Sequence, residues 1–169
     1  MTIDLRTHDW AADLIFDSAV TSHGFVSYMR DYDVVVDVPA IRADGDGSYI
    51  EGRYRYRFTH CVEAAVKTTV PPETWRKSWG DSFIDYSAWR QAGEPEGFVW
   101  GVEWADAYPG VERLSTSDSA TRWSDALGRP MHGIRIETNA YAIELVCHAL
   151  VVTRLAVGDP ATGQLRPIE

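Results

Sequence analysis

Apolar or near-apolar residues recur at every second position from Tyr54 to Val70: Tyr54, Tyr56, Phe58, His60, Val62, Ala64, Val66, Thr68 and Val70. Between them run Arg53, Arg55, Arg57, Thr59, Cys61, Glu63, Ala65, Lys67 and Thr69. A period of two predicts one long β-strand, with the first set buried and the second wet. A second alternation, Tyr32, Val34, Val36 and Val38 against Asp31, Asp33, Val35 and Asp37, predicts another strand. Asp44-Gly45-Asp46-Gly47 is a turn signal between them. A hairpin centred near Gly45 sets Asp37 opposite Arg53 and Asp33 opposite Arg57 on one face. On the other it sets Val36 against Tyr54, Val34 against Tyr56 and Tyr32 against Phe58. Charge and apolar pairs each fall on their own face, which favours this register over a one-residue slip.

The rest of the chain is shorter in period. Residues 9 to 20 predict an amphipathic helix, capped by Thr7 or Asp9, with Trp10, Leu14 and Phe16 inward and His23-Gly24 at its end. Pro71-Pro72 stops the long strand, and Glu73 to Trp79 predicts one or two helical turns with Trp75 and Trp79 at i, i+4. Residues 80 to 96 read as irregular. Phe98, Trp100, Val102 and Trp104 predict a strand ended by Tyr108-Pro109-Gly110. A helix from Ser117 or Asp118 to Leu127 is closed by Gly128 and Pro130. Ile134 and Ile136, a turn at Thr138-Asn139, and strands with Tyr141, Ile143, Leu145 and Cys147 on one face and then Leu150 to Leu155 complete the chain. The expected fold is α+β: an antiparallel sheet of about five or six strands with short helices packed on one side. The 169 residues predict a single domain, 1–169, with its core over about 8–155 and a frayed tail over 158–169.

Composition changes this picture little. At 45% hydrophobic and 24% charged, the chain is of ordinary soluble type, and its seven Trp and eight Tyr suggest a core built on aromatics or an aromatic-lined pocket. The formal net charge of -9 disfavours nucleic acid and anionic membrane as partners and suits a cationic protein. No secretory leader and no apolar run of about 20 residues is visible, so a cytoplasmic location is expected, with Cys61 and Cys147 as thiols.

Candidate chemistry is sparse. His60-Cys61 and Cys147-His148 supply a zinc-like ligand set, but neighbouring strand residues point to opposite faces, so each pair offers one ligand to either side. No metal and no cofactor is expected. Arg53 to Phe58 alternates cations and aromatics to opposite faces, which suits a salt-bridged sheet surface rather than a nucleic-acid platform. Asp44 to Ser48 fails as a calcium loop, with Tyr49 and Arg55 where glycine and glutamate belong. An enzyme would need a proton-transfer pair from His60 or His23 with Asp81, Asp85 or Glu103, beside a pocket walled by Trp75, Trp79, Trp100 and Trp104. A filled gap between helix and sheet is the favoured reading of the same tryptophans. His60 is expected to lie inward between Phe58 and Val62, with a pKa pushed below about 6.5 by burial.

Four stretches, HGFVSYMRDY (His23 to Tyr32), YRFTHCVEA (Tyr56 to Ala64), GFVWGVEW with a following YPG (Gly97 to Gly110), and ETNAYAIELV (Glu137 to Val146), together resemble the YxiG-like family of small bacterial proteins. The resemblance runs from about His8 to Leu155. It implies no catalytic residues, and it marks His23, Tyr28, Arg30, Asp31, His60 and Cys61 as positions to test. By analogy with relatives in toxin–immunity gene clusters, it implies a non-catalytic, immunity-like binding protein with a cationic, toxin-like partner. A small-molecule enzyme or carrier is the alternative.

Overall fold

The computed structural model describes residues 2–3, 15–39, 51–101 and 105–156. Among these residues nine antiparallel strands form the sheet: β1 (Thr2–Ile3), β2 (Ala19–Val26), β3 (Asp31–Val38), β4 (Gly52–Thr59), β5 (Glu63–Thr68), β6 (Ala105–Arg113), β7 (His132–Thr138), β8 (Tyr141–Cys147) and β9 (Ala149–Arg154). Eight of these are longer than two residues, more than the five or six expected. Among the described residues, three short helices, α1 (Pro72–Lys77), α2 (Tyr86–Gln91) and α3 (Asp118–Leu127), and a 3-10 turn at Asp81–Phe83 make the fold α+β.

The hairpin of β3 and β4 has the expected register. Asp37 pairs with Arg53, Asp33 with Arg57, Val36 with Tyr54, Val34 with Tyr56 and Tyr32 with Phe58. The turn at Asp44 to Gly47 lies outside the described residues. The outer face is not wet throughout, because Asp33 and Val35 are fully buried there. Arg57 holds the two Asp33 oxygens at 2.7 and 2.8 Å, and Arg55 lies 3.4 Å away. Asp37 and Arg53 form a second forked pair at 2.7 Å, and this one is exposed.

The long strand is two strands. It breaks at His60, whose φ is 48°, and resumes at Glu63. β8 and β9 break at the same level, so that β4 pairs with β9 and β5 with β8. Together they form one bent two-stranded ribbon. The bend swings β5, β8, β7 and β6 across the inner face of β9, β4 and β3, while β2 joins β6 through Ala19 and Val20 on the far side. The inner faces of the two halves therefore cover each other, as in orthogonally packed sheets whose strands bend at corners.

That mutual burial makes the core, which is mainly aliphatic. Val34, Val36, Tyr56, Phe58, Ile134, Ile136, Ile143, Leu145, Cys147 and Leu150 belong to one buried cluster. No tryptophan is buried among the described residues, so the expected aromatic core is corrected. α3 covers part of the outer surface, with Ala120, Met131 and Val146 buried together and Val62 and Trp123 beside them. Ser117 caps it by accepting the Ala120 N–H at 3.2 Å, and Gly128 ends it at φ 61°, a left-handed position suited to glycine.

Other expectations fail locally, and residues 80 to 96, expected to be irregular, hold the 3-10 turn and α2. Of the helix expected over residues 9 to 20, the part before Ile15 lies outside the described residues, and Ala19 onward is strand β2. His23 and Gly24 lie inside that strand. Phe98 and Trp100 are not in a strand, and Tyr108 to Gly110 sits within β6, where the register shifts between Ala107 and Gly110.

Candidate functional site

The strand break reverses the inward placement of His60. A residue in the left-handed region does not continue a strand, so the side-chain alternation is lost there. The His60 side chain is exposed, and its N–H donates to an Asp31 carboxylate oxygen at 3.0 Å. His148, on the matching bend of the other strand, brings its ring to 6.0 Å from that of His60. His148 Nδ1 lies 2.8 Å from the Pro130 carbonyl. Cys61 and Cys147 take the buried side of the same two bends. Burial pushes the Cys61 thiol up to about 12 and raises Cys147 as well, which makes both poor nucleophiles. Among the described residues no three His, Cys, Asp or Glu gather as a metal would need. Because the His60 side chain is exposed and its hydrogen bond to Asp31 is made by the backbone, His60→Asn is expected to change stability by no more than about 0.5 kcal/mol, and asparagine tolerates the left-handed backbone. Urea unfolding of the two proteins measures this.

The inward histidine is His23. Its partner on β3 is Val34, so it faces the core side. Nδ1 lies 2.7 Å from the Tyr32 hydroxyl, and the ring packs against Tyr32 and Tyr141 with centroids 6.1 and 5.3 Å apart. Burial lowers the His23 pKa. Tyr32 is pushed up to about 12, chiefly by burial and then by Cys61 and Tyr141, and burial also raises Tyr141. The cluster is therefore a neutral imidazole between two protonated phenols. The unfolded chain takes up the His23 proton first, at about 6.5, so stability rises with pH from the lowered folded value up to that point. Above that window the contribution is constant. The difference in unfolding free energy between the wild type and His23→Gln should fall as pH drops below 6.5, and denaturation at stepped pH reads it directly.

The remaining candidates do not join either histidine. Asp85 caps α2 by accepting the Ala88 N–H at 2.5 Å, and Asp81 opens the 3-10 turn. Among the described residues no hydrogen bond or ion pair links Asp81 or Asp85 to His23 or His60. Glu103 and Trp104 lie outside the described residues. Trp75, Trp79 and Trp100 form a chain of rings with Phe98, at 6.2, 4.4 and 5.0 Å. The Trp100 indole N–H donates to the Ser78 carbonyl, and the buried Ser78 hydroxyl accepts the Phe98 N–H. This satellite cluster is half-exposed, with Trp79 80% accessible. It is not part of the buried core cluster.

Sequence reasoning missed the turn between β2 and β3. Ser27, Tyr28 and Met29 have φ of 53°, 60° and 66°, three successive non-glycine residues in the left-handed region. Such positions cost of order 1 kcal/mol or more each and persist where surrounding structure holds them. The hold is visible: the Cys61 N–H donates to the Arg30 carbonyl at 2.7 Å, and Arg30 pairs with Asp31 at 3.1 Å. The turn displays Tyr28, 91% exposed, and Met29, 70% exposed. Met29 and Phe25 then form one wall of a groove of about 580 Å³, whose other wall includes Val62, Glu63 and Ala64. Glu63 is fixed by Trp123 and Ser119 at 2.6 and 2.7 Å and by Arg122 at 2.5 Å, which together hold its carboxyl below the usual range. No glycine or asparagine marks the turn, so nothing in its composition signals the left-handed backbone.

A rolled antiparallel sheet with three short helices among the described residues defines a small α+β protein. A family model for YxiG-like proteins matches residues 4–162, so the chain belongs to the YxiG-like family. A search of curated proteins finds no match. No helix among the described residues is long and apolar enough to cross a membrane.

Proposed function

We propose that this is a non-catalytic binding protein, immunity-like, that engages a cationic protein partner. The observation that carries the reading is the strained Ser27-Tyr28-Met29 turn. Its backbone cost supports an exposed aromatic and an exposed thioether side by side. Tyrosine is favoured among residues that dominate interface energetics, and methionine adapts to irregular partner surfaces. The net charge of -9 supplies long-range steering toward a cationic partner. Affinity capture from native lysate of the source cells should retain one specific basic protein, less strongly as salt is raised. Empty captures under several growth conditions contradict the reading.

A second reading, a small-molecule carrier or enzyme, is favoured by one observation. The groove exceeds the roughly 300 Å³ typical of the smallest ligand sites. Phe25 of its wall packs edge-on against Tyr32, which holds His23. A metabolite panel that raises the melting temperature in the wild type but not in Phe25→Ser would replace the first reading with this one.

A further inference from the structure

We propose that two copies of this chain associate through β5, pairing antiparallel edge to edge about a two-fold axis at Ala65. β5 ends the sheet, with β8 on one side and, among the described residues, no strand on the other. The register with β8 matches Glu63 to Val146 through Thr68 to Tyr141, and Thr69 continues it by donating to the Ala140 carbonyl at 3.0 Å. Alternation then directs the backbone groups of Glu63, Ala65 and Lys67 toward β8. Those of Ala64, Val66 and Thr68 point away. Among the described residues no backbone partner meets them on that side. Open edges of this kind are templates for a further strand.

The side chains choose the occupant and the register. With the axis at Ala65, Ala64 exchanges both backbone hydrogen bonds with Val66 of the second copy, and Val66 does the same with the second copy's Ala64. Glu63 falls opposite the second copy's Lys67, and Lys67 opposite its Glu63. Opposite charges facing across a strand pair stabilise it, and small residues at the axis allow the close approach. Moving the axis one residue either way removes both charge pairs. Neither partner is saturated. Glu63 Oε2 accepts only from Ser119, and the Lys67 ammonium spends one of its three N–H groups on Glu144 at 3.0 Å. Val66, 49% exposed on the free edge, becomes covered.

Sedimentation velocity and light scattering across a concentration series test this. The wild type should reach twice its 19.0 kDa mass, with the dimer weakened by salt. Val66→Pro removes one outward N–H and no bond to β8, so it should be monomeric with an unchanged circular dichroism spectrum. Lys67→Glu, which leaves the backbone intact, sets like charges opposite each other twice and should raise the dissociation constant about tenfold or more. A wild type that stays monomeric at its highest soluble concentration overturns the proposal. So does a dimer that both folded variants retain, since another surface then holds it.

Discussion

Asp33→Ala is expected to destabilise the protein by about 3–5 kcal/mol, the range for breaking a buried ion pair from one side. The reason is geometric. Asp33 is fully buried on what the alternation marks as the outer face, and its two oxygens are gripped by Arg57 and approached by Arg55. Removing the carboxylate leaves two guanidinium groups without their nearest countercharge, with only the longer-range attraction of Asp31 left to Arg57. Asp33→Asn keeps the volume and one acceptor oxygen, so its cost should be smaller, and the ordering of the two is as informative as their size. Asp37→Ala breaks an equally short forked pair on the same face, yet that pair is exposed and should cost no more than about 1 kcal/mol. Urea unfolding of the three variants ranks them. Equal losses for Asp33→Ala and Asp37→Ala would contradict the burial argument.

Phe58→Ala should be as damaging, about 3–5 kcal/mol, for a different reason. Phe58 is fully buried and is the last inner-face residue of β4 before the bend. It shares the core cluster with Leu150 of β9 and with Ile143 and Leu145 of β8, so it lies where the two halves of the sheet meet. Truncation leaves a void that rigid strands on both sides cannot close. Phe58→Leu, which restores most of the volume, should recover the larger part of the loss in thermal or chemical unfolding.

The sheet was legible where charge and hydrophobicity alternate together. Arg53 to Phe58 against Asp31 to Val38 sets a register that no slip satisfies, and the structure has it. The helix from Asp118 was legible from its Ser117 cap and Gly128 stop. The bend was not, because His60 and Cys61 keep the apolar alternation in step while the backbone leaves the strand. Period alone cannot report a residue whose φ turns positive. Strand β2 was hidden because Thr21, Ser22, His23 and Gly24 carry little apolar signal, although His23 faces inward. The displayed turn was hidden for a related reason. Its left-handed backbone is enforced by contacts from Asp31 and Cys61, which no local sequence rule contains. The tryptophans misled in the other direction, since large rings suggested a core that aliphatic side chains fill instead.

The most direct test of the binding account is the double variant Tyr28→Asn with Met29→Asn, measured against the captured partner by calorimetry or interferometry. Asparagine tolerates the left-handed region better than tyrosine or methionine, so the turn should keep its shape and the melting temperature should not fall. The account predicts a partner affinity weakened about 30-fold or more, the loss of a dominant interface anchor. An unchanged affinity in a folded double variant would contradict it.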